Sequence, residues 1–69
     1  MSMQAAEFAK QALAAQIIAE SIAGAADDFF GKSPEEATWS NASEVEAIFA
    51  DLVDVASRIE RAFPGVLNR

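Results

Sequence analysis

The residues with chemical capacity in this chain are few. Two adjacent carboxylate pairs stand out, Asp27-Asp28 and Glu35-Glu36, together with one serine and one lysine, Ser21 and Lys10, on a single helical stretch. A carboxylate pair can touch a divalent ion, but neither pair has the alternating oxygen ligands of a calcium loop. Glu35 and Glu36 suit the positive start of a helix, and Asp27 and Asp28 sit near the negative end of one. The misplaced pair is the more suggestive of the two, and a solvated patch accounts for it adequately. Ser21 and Lys10 are eleven positions apart, about 16 Å by helical rise, so they form no dyad within one chain. Histidine, cysteine and tyrosine are absent from all 69 residues, which removes the commonest bases, nucleophiles and metal ligands. The three glycines are scattered and make no phosphate loop. We expect no catalytic residue, no cofactor, no metal site and no small-molecule substrate: not an enzyme.

Charge narrows the partners. The formal net charge is −6, with eleven acids against five bases. Residues 27–54 hold most of it, eight acids against Lys32, while Arg58, Arg61 and Arg69 make the tail weakly basic. Direct binding to nucleic acid or to an anionic membrane needs clustered cations, which this chain lacks. Acidity serves solubility in the plainest reading. In the sharper one it docks on a basic protein surface. No basic leader precedes the first alanine-rich run and no window approaches about 20 apolar residues, so the expectation is a cytoplasmic protein.

The elements that position these residues are helical. Alanine, the best helix former, supplies sixteen positions, and no proline occurs before Pro34. A long helix is predicted over about 5–30, with 1–4 frayed. Phe8, Ala12, Ala15, Ile18, Ala19, Ile22, Ala26 and Phe29 share one face of it, and Leu13 and Ile17 form a thin strip on the far side. Gly31 is the natural left-handed stop. Ser33-Pro34-Glu35-Glu36 reads as a helix start, giving a short connector over 34–39 with Trp39 as a lid on the core. Ser43 and Glu46 form a Ser-x-x-Glu capping box for a second long helix over about 44–63, stopped by Pro64 and Gly65, with a tail over 64–69. Val45, Ile48, Phe49, Leu52, Val55, Ala56, Ile59 and Phe63 recur there at three- and four-residue spacing.

The predicted fold is therefore all-α, a single domain over 1–69. Two long antiparallel helices form a hairpin with a short helical connector. Without disulfide or zinc to brace so small a core, pairing into a dimeric four-helix arrangement is expected. The expected function is a small acidic protein-binding module, an adaptor or inhibitor of a larger partner that could itself bind nucleic acid. The alternative is a structural subunit whose task is self-assembly. The candidate interface residues are Phe8, Leu13, Ile17, Asp27, Asp28, Glu35, Glu36, Trp39, Asp51 and Asp54.

Overall fold

The computed structural model describes residues 2–68. Met1 of the segment expected to fray and Arg69 of the basic tail lie outside the described residues. Every regular element among the described residues is helical. The chain divides into two compact units, Met1–Glu36 and Ala37–Arg69, each described by itself.

The first unit is built on α1, Met3–Asp27. Its start lies earlier than the alanine pattern suggests. Ser2 is extended (φ −70°, ψ 162°), and its hydroxyl accepts a hydrogen bond from the Ala5 N–H at 3.0 Å. That cap satisfies one of the orphan donors of the first turn, so the stretch expected to fray opens the helix instead. Along the helix, Gln11 donates to Glu7 at 2.8 Å and Gln16 to Glu20 at 3.1 Å, both one turn away.

α1 ends at Asp27, three residues short of the predicted stop. The Asp28 N–H is shared between the carbonyls of Gly24 (3.3 Å) and Ala25 (3.2 Å). Phe29, Phe30 and Gly31 then take positive φ of 51°, 54° and 76°. Gly31 does adopt the expected left-handed conformation, but two phenylalanines precede it there. For an L-residue that conformation costs roughly 1–2 kcal/mol. Bonds from Gly31 N–H to Asp28 O and from Lys32 N–H to Phe29 O, both 3.0 Å, hold the turn closed.

The connector helix predicted over 34–39 is only a 3-10 turn, Pro34–Glu36. Ser33 does not cap it through its side chain. Its hydroxyl donates to the Glu35 carboxylate at 2.5 Å, and its carbonyl accepts from Glu36 N–H at 2.9 Å.

The second unit is built on α2, Trp39–Ala62. The predicted start at Ser43 is corrected by five residues. Thr38 is extended and accepts from the Asn41 N–H at 3.1 Å, while the Asn41 side chain accepts from the Thr38 N–H at 3.0 Å. This reciprocal box does at Thr38 what Ser43 and Glu46 are expected to do later. Ser40 and Asn41, poor helix formers in an interior, are well placed in a first turn. Trp39 accordingly belongs to α2, not to a connector. It is 90% exposed.

The C-terminal stop falls where Pro64 and Gly65 place it. Phe63 leaves the helix with its N–H on Ile59 O at 2.7 Å. Gly65 turns with φ 83°, and its N–H is accepted by the Glu60 carboxylate at 2.9 Å. Val66–Asn68 adds a final 3-10 turn.

No described residue is buried. Within the second unit, one amphipathic helix has nothing to close its apolar stripe against. Val45, Ile48, Phe49, Leu52, Val53 and Val55 all remain exposed, while Ala56 and Ile59 are half-buried.

Candidate protein-binding surfaces

In the first unit, helical geometry sorts the candidates by side. Leu13 and Ile17 lie one turn apart on the same side of α1 and are 58% and 55% exposed. Phe8, also exposed, projects from the opposite side, so α1 does not join it to that pair. Ile18, assigned by its spacing to a buried face, is as open as Leu13. Apolar residues are spread around α1 with almost no sidedness, which the alanine-rich periodicity conceals. Asp27 is the last residue of α1 and Asp28 its C-cap, at the negative end of the dipole as foreseen.

Glu35 and Glu36 both fall in the short Pro34–Glu36 turn. The Ser33 hydroxyl, donating to Glu35, holds that carboxyl below the ordinary glutamate value, and a backbone hydrogen bond at Glu35 acts in the same direction. A charged acceptor is favoured by any donor aimed at it.

In the second unit, Trp39, Asp51 and Asp54 all lie on α2 and all are exposed. Their directions differ. Taking Leu52 as the middle of the apolar stripe, Asp51 borders it, whereas Trp39 and Asp54 point away at the back of the helix. A shallow surface depression lined by Asp54, Val55, Ser57, Arg58, Ile59 and Arg61 lies on α2. It is open to solvent and offers no enclosed volume for a small ligand.

Among the described residues, no group of three or more acids forms a possible metal cluster. Also among the described residues, no helix is long and apolar enough to cross a membrane.

Two features are not evident from the sequence pattern. Glu60 reads there as a plain charge, yet it caps the chain reversal at Gly65. The apolar stripe of α2 reads as core and so does not enter the interface candidates. Its sidedness is the available signal, and most of its residues are exposed. Compared with family models, with curated proteins and with solved structures, the chain matches none.

Proposed function

We propose that this chain is a non-enzymatic protein-binding module of the cytoplasm, an adaptor or inhibitor that lays helical faces on a larger protein with a basic surface. The observation that carries the reading is exposed apolar surface on capped helices, set beside carboxylates. On the first unit, Leu13 and Ile17 supply apolar contact. Six acids against two lysines give that unit a charge suited to a basic groove, including one that otherwise holds nucleic acid. Contiguous exposed apolar side chains rimmed by polar residues are the usual mark of an interaction surface. Handling of a small-molecule substrate, direct contact with nucleic acid and insertion into a membrane form no part of this reading.

The test is capture of host proteins by the tagged full-length chain, run beside the double variant Leu13→Ser, Ile17→Ser. A protein held by the native chain, lost by the variant and released by raised salt supports the adaptor reading. A partner equally well held by the variant removes Leu13 and Ile17 from it. Displacement of nucleic acid from the captured protein separates inhibitor from adaptor.

The second reading, a self-assembling subunit, is favoured by one observation, the one-sided apolar stripe of α2. In its full form the two long helices would make an antiparallel hairpin, paired with a second hairpin into a four-helix arrangement.

A further inference from the structure

The apolar stripe of α2 is bordered on one side by a row of charges at seven-residue spacing, Glu44, Asp51 and Arg58, and on the other by Phe49 and Ala56. The stripe itself follows a heptad rhythm through Val45, Ile48, Leu52, Val55, Ile59 and Ala62. The charge row changes sign along the helix, acidic in its first two members and basic in its third. That polarity distinguishes one way of covering the stripe from the others.

We propose that the stripe of α2 is covered by α2 of a second copy of this chain, the two helices running antiparallel with Leu52 of one layered on Val55 of the other. This goes beyond the adaptor reading and does not rest on it. In that register Ile48 meets Ile59 of the second copy and Val45 meets Ala62. The charge row of one copy then lies along the charge row of the other, placing Asp51 beside Arg58 and, by the two-fold symmetry, Arg58 beside Asp51. On the opposite border Phe49 faces Ala56 and Ala56 faces Phe49, a large residue against a small one at each position.

The alternatives fail on charge or on size. Shifted one heptad toward the helix starts, Glu44 meets Arg58, but Asp51 meets Asp51 and Phe49 meets Phe49. Shifted one heptad the other way, Arg58 meets Arg58. A parallel pair sets Asp51 beside Ala56 and Glu44 beside Phe49, with no countercharge for either. Only the stated register opposes unlike charges and unlike sizes together. Its apolar layers run from Val45 to Ala62, eighteen positions, or about 27 Å of helix.

The test is sedimentation equilibrium of the full 69-residue chain across a concentration series, with circular dichroism as the control for helix content. Asp51 and Arg58 are seven residues apart and do not pair along one helix, but each has Asp54 within one turn, so the circular dichroism of every variant is the control for altered intrahelical pairing. The native chain should dimerise at high micromolar concentration. Asp51→Arg alone and Arg58→Asp alone should each weaken the dimer by about tenfold. The double variant carrying both changes should regain native association. An equimolar mixture of the two single variants should form heterodimers in preference to either homodimer, because two arginines of one chain then face two aspartates of the other. A native chain that stays monomeric overturns the proposal, as does a dimer indifferent to both reversals or a double variant no tighter than the singles.

Discussion

The most informative single group is the Glu35 carboxyl. A hydroxyl two residues away, on Ser33, donates to it at 2.5 Å and holds its pKa below the ordinary value. A depressed folded-state pKa contributes stability that is present above the unfolded pKa and is lost as pH falls through the folded one. Glu35 should therefore titrate below the ordinary glutamate value in a carbon-detected NMR titration. Ser33→Ala should raise it toward the ordinary range, the backbone hydrogen bond at Glu35 keeping part of the shift; an unmoved titration would show that the hydroxyl is not its main cause. The group is fully exposed, so the local order of the Pro34–Glu36 turn, and not global stability, is what should respond. Gly24 gives a second residue-scale test. A Cβ placed there meets nothing within 4 Å, so Gly24→Ala should gain the difference in helix propensity, roughly 1 kcal/mol, read as a rise in helicity and melting temperature.

At the scale of elements, ends are harder to read than middles. The central stretches of both helices, with the α2 stripe from Val45 to Ile59, follow directly from composition and periodicity. Their boundaries do not, because each is decided by one or two hydrogen bonds for which the sequence offers several competing sites. Thr38 and Ser43 are both competent caps, and the box with Asn41 selects the earlier one. Thr38→Ala should thus cost about 1 kcal/mol and move the start of α2 back to the Ser43–Glu46 box. Hydrogen exchange should then show the amides of Asn41 and Ala42, both bonded to Thr38 in the native chain, losing protection while those after 46 keep theirs. At the other end Gly65 holds φ 83° with open space around it, so Gly65→Ala should meet backbone strain and no clash. The expected loss is about 1 kcal/mol from the turn that Glu60 caps, seen as faster exchange of the Gly65 and Val66 amides. Exposure is legible in the sequence where the candidate residues are charges, as at Asp27, Asp28, Asp51 and Asp54. It is not legible at Trp39 or along the α2 stripe, where periodicity marks a face as apolar without saying what encloses it.

For the molecule as a whole, the two proposed contacts respond to salt in opposite ways. Two copies at −6 each repel, and ions screen that net repulsion more than they weaken the two Asp51/Arg58 contacts, so raising salt from about 0.05 to about 0.5 M should tighten self-association. Attachment to a basic partner should weaken over the same range. A sedimentation series and a capture series in matched buffers would separate the two, and parallel responses would contradict at least one proposal. The left-handed turn at Phe29, Phe30 and Gly31 has a different consequence, one of measure. Its backbone strain works against the closed turn. Were residues 28–31 rewound into the right-handed helix that precedes them, α1 would grow by about 6 Å. The sign of three backbone angles thus sets how far α1 reaches.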